Sequence, residues 1–201
     1  MVFFSFNLFN ETFEYNSIQI QPQKKYFSKD IDLCKELNNR NKITEFCNIK
    51  YEKRKISNKI GKNILFCLPP KFGLGDSIEY CIAIISIIKS KKFNKVGVAF
   101  CSDHIFVFKN LFMLSNVFPL VVSEENIKKY DNVFHITLEI NSLKHQKYKR
   151  SNIAYEICKH FDTNVINFNP IQNFKNHNFK KTITIFPIST STIRTMPLKV
   201  I

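Results

Sequence analysis

A chain of 201 residues with 44% hydrophobic and 14% aromatic side chains is long enough for one well-buried domain with a short appendage, and cramped for two complete domains. Its 30 basic and 16 acidic side chains leave a formal charge of +14, which favours polyanions such as phosphorylated glycans or anionic membrane surfaces. Nucleic acid is a weak candidate, because arginine is scarce and aromatics do not alternate with the basic residues as they do on a base-stacking platform.

Phe at 21 residues beside no Trp, with abundant Lys, Asn and Ile, points to AT-rich coding, so solvated lysines from codon drift are the alternative source of the charge. The apolar start Val2-Phe3-Phe4-Ser5-Phe6 lacks a basic n-region and soon meets Asn and Glu, which makes a poor signal peptide. The six cysteines show no paired spacing of the kind a zinc site uses, and Cys67, Cys81 and Cys101 fall in apolar elements as small core residues. A cytoplasmic location is expected, and no run is long enough to span a bilayer.

From Met1 to about Gln23 aromatic and polar residues mix, with short-strand or docking character in Phe9, Phe13 and Tyr15. Between Ser28 and Lys59 a charged, mainly helical segment is expected, with Ser28 as a cap and Ile31, Leu33, Cys34 and Leu37 as a partial apolar face. Residues 1–61 therefore read as a mainly helical N-terminal extension packed on the domain.

Asn63-Ile64-Leu65-Phe66-Cys67-Leu68 is a buried strand stopped by Pro69 and Pro70. Downstream, Ile78, Cys81, Ile82, Ile85 and Ile88 recur at helical spacing, and Ala83, Ile84 and Ile87 make that helix apolar over most of its circumference. Between the two lies Phe72-Gly73-Leu74-Gly75-Asp76-Ser77, holding two of the chain's four glycines, each permitting a tight turn or a close ligand approach. It is neither a dinucleotide fingerprint nor a P-loop. Strand, turn and helix form the first unit of an open parallel sheet, whose ligands bind beyond the carboxyl ends of the strands.

A second buried strand is expected over Lys95–Cys101, and Ser102-Asp103-His104 then opens a helix containing Phe108, Leu111, Phe112 and Leu114. A strand near Leu120-Val121-Val122 follows, then a short helix from Glu124 to Tyr130, a strand at Val133–Thr137 and a helix from about Asn152 to Phe161. This alternation defines a Rossmann-like α/β domain over residues 62–180, with right-handed crossovers between parallel strands. Thr182–Pro187 is a further strand, and the loop after it, from Ile188 to Pro197, contains Ser189, Thr192 and Arg194. Hydroxyls and a guanidinium in one loop match phosphate chemistry. Residues 181–201 are expected to begin a second domain whose remainder is missing.

Taken together, the Leu74-Gly75-Asp76 turn before a long apolar helix and the Phe186-Pro187 to Arg194 and Pro197 pattern resemble the heptosyltransferase-like glycosyltransferases, family 9, of GT-B architecture. The resemblance spans about Lys62 to Ile201. It implies inverting transfer of a sugar from a nucleotide-sugar donor to a glycan or glycolipid acceptor, with no obligatory metal and no further cofactor. It assigns Asp76 as catalytic base and Arg194 to donor phosphate; the chemistry of the two loops adds Ser189 and Thr192 as donor-phosphate contacts, and Lys71, Gly73 and Gly75 as the acceptor side. Donor binding is expected only with a complete second domain. Peripheral association with the inner face of the membrane belongs to the same expectation, and a truncated chain is expected to be weak or inactive.

Each residue also has a structural reading. Asp76 with Glu79 three residues on forms a capping-box pattern. Lys71 reads equally as a solvated loop lysine, Arg194 as a surface residue, and Ser189 and Thr192 as ordinary turn residues. His104 reads as part of a helix-start turn, Asp103 as its neighbour at the strand's carboxyl end, and His135 as a core or edge residue. The alternative function is a non-catalytic module binding an anionic glycan or a membrane-associated partner.

Overall fold

The computed structural model describes residues 2–8, 12–15, 18–22, 24–39, 43–50, 63–69, 72–101, 104–140 and 152–167, all within one compact unit, Met1–Phe168. The N-terminal part contains β1 (Val2–Leu8), β2 (Phe13–Tyr15), β3 (Ile18–Ile20), β4 (Lys25–Ser28), α1 (Ile31–Asn39) and β5 (Ile43–Lys50). There follow β6 (Ile64–Cys67), α2 (Leu74–Lys89), β7 (Val96–Cys101), a π-helical turn (Val107–Leu111), β8 (Val117–Pro119) and β9 (Val121–Ser123). The described elements end with α3 (Glu124–Ile127), β10 (Asn132–His135), α4 (Ile136–Glu139) and α5 (Ile153–His160).

Four strands form a parallel sheet in the order β10-β6-β7-β8. Every residue of β6 is buried, as a central parallel strand requires. Its side chains alternate between two cores. Ile64, Phe66 and Leu68 join the cluster under α2 and α5, whereas Leu65 and Cys67 join Ala99, Phe100, Val122 and Tyr130 on the other face. On the helical side, Phe134 meets Phe66 and Phe161 edge to face, at centroid distances of 5.7 and 4.9 Å. The long apolar helix is covered on several sides, as its circumference demanded: the sheet, α5 and the π-helical turn all pack against α2.

The second face presents a different problem. The crossover from β8 to β10 offers only the four-residue α3, too short to cover a sheet that must be buried on both sides. The N-terminal segment supplies the cover. It forms an antiparallel sheet in the order β5-β1-β4-β9, in which Tyr26, Phe27 and Ser28 pair with Ser123, Val122 and Val121. Phe27 and Val122 thereby enter the second core. The expectation of a mainly helical extension is thus corrected: α1 is its only described helix, and strands predominate. The physical reason is non-local pairing, which a charged segment does not announce in its own periodicity.

Smaller differences have local causes. The strand expected near Leu120 is two strands, β8 in the parallel sheet and β9 in the antiparallel one, separated at Leu120. Pro119 has no N–H to extend the ladder, and it ends a strand at the sheet edge, where proline is tolerated. The helix expected after His104 is short. Phe112 N–H donates to Val107 O, an i to i+5 bond, and Met113 at φ 54° ends the turn, so Leu114 lies outside it. The strand expected through Thr137 stops at His135, where α4 begins, and α3 stops short of Tyr130. The expected strand at Thr182–Pro187, and the whole of 181–201, lie outside the described residues.

The described residues carry as many acidic as basic side chains, so the +14 excess falls entirely on the other segments.

Candidate functional site

Numbering the parallel strands by their sequence, the order fourth-first-second-third reverses between β6 and β10. In an open α/β sheet the crevice outside the carboxyl ends at such a reversal is where ligands bind. Three elements converge there: the end of β6 leading to α2, the end of β10 at His135, and the segment between β4 and α1.

The first carries the glycine turn. Gly73 is the N-cap of α2 in an extended conformation, φ −79° and ψ 169°, and its carbonyl accepts from Ser77 N–H and Ser77 Oγ, both at 3.0 Å. Asp76 is three residues inside the cap, and its Oδ2 accepts from Gly73 N–H at 3.0 Å. The helix therefore begins earlier than the capping-box reading assumed, and Asp76 takes the position that reading gave to Glu79. Glu79 is used elsewhere. Its Oε2 accepts from Ala154 N–H at 2.9 Å, while Asn152 Oδ1 accepts from Tyr155 N–H at 2.8 Å, so the start of α5 is capped from two elements.

Neither glycine of the turn needs a left-handed backbone. A Cβ at Gly75 would meet nothing within 4 Å, and one at Gly73 would make ordinary contact with Asp76 Oδ2 at 3.6 Å. Space for close approach to the backbone is what the two glycines provide. Gly97 is the contrasting case, because a Cβ there would run into the Tyr130 ring, with Cε1 at 2.9 Å and Oη and Cζ closer still.

Phe72 anchors the turn. Its ring lies 5.3 Å from Tyr80 and 6.3 Å from Phe108, edge to face in both cases, and 6.1 Å from His104. His104 in turn lies 6.4 Å from Phe106. Tyr80, one helical turn beyond Asp76, has its phenol pushed well above the ordinary range, first by burial and then by the Asp76 charge.

The other two elements meet on the opposite face of the sheet. Lys29 is 6% exposed; its Nζ donates to Leu68 O at 2.7 Å and lies 5.0 Å from the centroid of the Phe100 ring. Burial pushes its amine down to about 8, with the nearby Cys67 opposing. Cys67 is pushed up to about 11 by burial, against the pull of Lys29. His135, opposite Cys67 in the β6–β10 register, is 1% exposed, and burial, then the charge of Lys29, push it down to about 2. It is a neutral imidazole over the physiological range. Phe100 itself adopts φ 66° where the β7–β8 register shifts, so Ala99 and Phe100 turn to the same core and the ring is aimed under Lys29.

Gly73, Gly75 and Asp76 thus stand together, with Phe72 and His104 beside them. His135 lies at the carboxyl end of β10 as a buried residue. Lys71, Asp103, Ser189, Thr192 and Arg194 lie outside the described residues. Sequence reasoning missed Lys29, because nothing distinguishes it from neighbouring lysines until Leu68, 39 residues away, is packed against it. Among the described residues, no three His, Cys, Asp or Glu side chains are grouped so as to hold a metal ion, and no helix is long and apolar enough to cross a membrane.

The chain matches no protein-family model, no curated protein and no solved structure.

Proposed function

We propose that the chain carries the acceptor side of an inverting glycosyltransferase of GT-B type, resembling the heptosyltransferase-like family. The observation that carries this reading is the position of Leu74-Gly75-Asp76 at the carboxyl end of β6, beside the point where the strand order reverses. In the proposed reaction a hydroxyl of a glycan or glycolipid acceptor approaches the open glycine turn, and Asp76 takes its proton as the oxygen attacks the anomeric carbon. The bond to the nucleotide phosphate breaks on the opposite face, which inverts the anomeric configuration. Among the described residues only Oδ2 of Asp76 is engaged, by Gly73 N–H, which leaves the carboxylate capacity for a second partner. Ser189, Thr192 and Arg194 are proposed to face the donor phosphates, and the setting proposed is the cytoplasm at the inner face of a membrane.

The test is sugar transfer from UDP-, GDP- and ADP-linked donors to a glycolipid extract by the longest gene product carrying residues 1–201. Product with the anomeric configuration inverted supports the reading. The absence of transfer from every donor, alongside retained acceptor binding, favours the alternative of a non-catalytic binding module. The engagement of Asp76 in the helix cap is the observation on that side.

A further inference from the structure

The central strand ends in a bond that a parallel ladder does not supply. Register between β6 and β7 runs from Ile64 with Val96 to Cys67 with Ala99, and Leu68 N–H continues it by donating to Ala99 O at 3.1 Å. One further regular step would bring Cys101 N–H to Leu68 O. The ladder breaks before that step, because Phe100 adopts φ 66° and turns to the same core as Ala99. Leu68 O instead accepts from Lys29 Nζ at 2.7 Å, with the centroid of the Phe100 ring 5.0 Å from the amine. Pro69, next in the chain, has no N–H with which to extend the strand.

The amine is delivered by a fixed corner. Ser28 pairs with Phe4 on one side and Val121 on the other, so β4 is held up to its last residue. Ser28 Oγ accepts from Asp30 N–H at 3.0 Å, and Asp30 Oδ1 accepts from Asp32 N–H and Leu33 N–H at 3.0 and 3.2 Å, capping α1. Lys29 stands between these two anchors, so the place of its amine follows the docking of the N-terminal sheet. Leu68 is 0% exposed, and its carbonyl has no access to water while β6 keeps its place. Withdrawing the amine therefore forces the end of β6 to move. That end leads into Phe72, whose ring packs on Tyr80 and Phe108, and into Gly73, the cap of α2. We infer that Lys29 is a latch through which the docked N-terminal sheet holds the end of β6 and, with it, the start of the glycine turn. With the latch closed the turn is fixed; with it released, the end of β6 opens to water and the turn is freed.

The latch concerns the position of the turn whatever ligand the turn takes, and native-state hydrogen exchange on the full chain tests it without any assay of transfer. Three amides report it: Leu68, which donates to Ala99 O; Gly73, which donates to Asp76 Oδ2; and Ser77, which donates to Gly73 O. In Lys29→Met all three are expected to exchange about ten- to a hundredfold faster, the scale set by one buried carbonyl left without a donor, while Phe66 within β6 and Ile84 within α2 keep their parental rates. Phe100→Leu leaves the amine in place and removes the ring beneath it. There the same three amides are expected to exchange about three- to tenfold faster, which keeps the latch open to test where Lys29→Met does not fold. Circular dichroism decides which variants are folded. Parental rates at Gly73 and Ser77 in Lys29→Met, or in Phe100→Leu where that variant alone folds, overturn the inference, because the influence of the contact then ends at Leu68. So does an equal acceleration at Phe66 and Ile84, which marks a general loosening of the core.

Discussion

Lys29 Nζ donates to the Leu68 carbonyl at 2.7 Å, joining the N-terminal antiparallel sheet to the end of the central parallel strand. The contact makes the N-terminal segment part of the floor beneath the carboxyl ends, on the face opposite α2, and it puts a desolvated amine beside Cys67 and His135.

That amine makes stability depend on pH in a defined direction. Its value is about 8 in the folded chain against 10.5 in the unfolded one, so the unfolded chain binds more protons between those values. Stability from this group is present above 10.5 and is lost as pH falls through 8. Cys67, held at about 11 against 9.0, works in the opposite sense above pH 9, so the parent alone does not isolate Lys29. Lys29→Met does. Denaturant unfolding of parent and variant should show the parent gaining about 2 kcal/mol relative to the variant between about pH 8 and pH 10. A difference that stays flat across that range means the amine is not held at a lowered pKa.

Two glycines predict opposite results. Gly75→Ala introduces a Cβ into open space within a helix and removes glycine's extra unfolded-state freedom, so it should stabilise by about 0.5–1 kcal/mol and raise the melting temperature by a few degrees. Gly97→Ala drives a methyl into the Tyr130 ring and should destabilise by about 1–3 kcal/mol. Thermal melts of the two variants, side by side with the parent, check both signs. Sugar binding or transfer should fall in Gly75→Ala despite the gain in stability, because the space above the turn is what the glycine leaves clear.

Glu79 links two helices through Ala154. Removing its carboxylate in Glu79→Ala leaves the first turn of α5 short of an acceptor and should cost about 1–2 kcal/mol, whereas Glu79→Gln, which keeps an acceptor oxygen, should recover most of it. Hydrogen exchange at the start of α5 gives the local readout. Equal exchange in parent and Glu79→Ala would show that Asn152 alone caps the helix.

The parallel core was legible where one segment carries its own signal. β6 is an apolar run closed by Pro69, and α2 repeats isoleucine at helical spacing, so both were readable without partners. The antiparallel sheet was not, because β1 and β4 are defined by pairing, and the strand expected near Leu120-Val121-Val122 carried no sign that its second part, β9, joins β4, as in Phe27 with Val122. The turn at Leu74-Gly75-Asp76 was visible, but its cap was misread by three residues, since Gly73 has no side chain to mark an N-cap. Lys29 became significant only once Phe100 and Leu68 were packed around it. The strain at Phe100 was equally hidden, because a positive φ at an aromatic residue arises from the register shift between β7 and β8.

The measurement closest to the functional claim is the transfer rate of Asp76→Asn, taken together with its melting temperature, in the longest gene product that carries this chain. Asparagine keeps an oxygen for Gly73 N–H and so preserves the helix cap, while it removes the basicity that the proposed chemistry requires. The account predicts a fall in turnover of about 10²–10⁴-fold, the range for a general base, with the melting temperature nearly unchanged. Parental turnover in Asp76→Asn would contradict it and leave Asp76 as a helix cap.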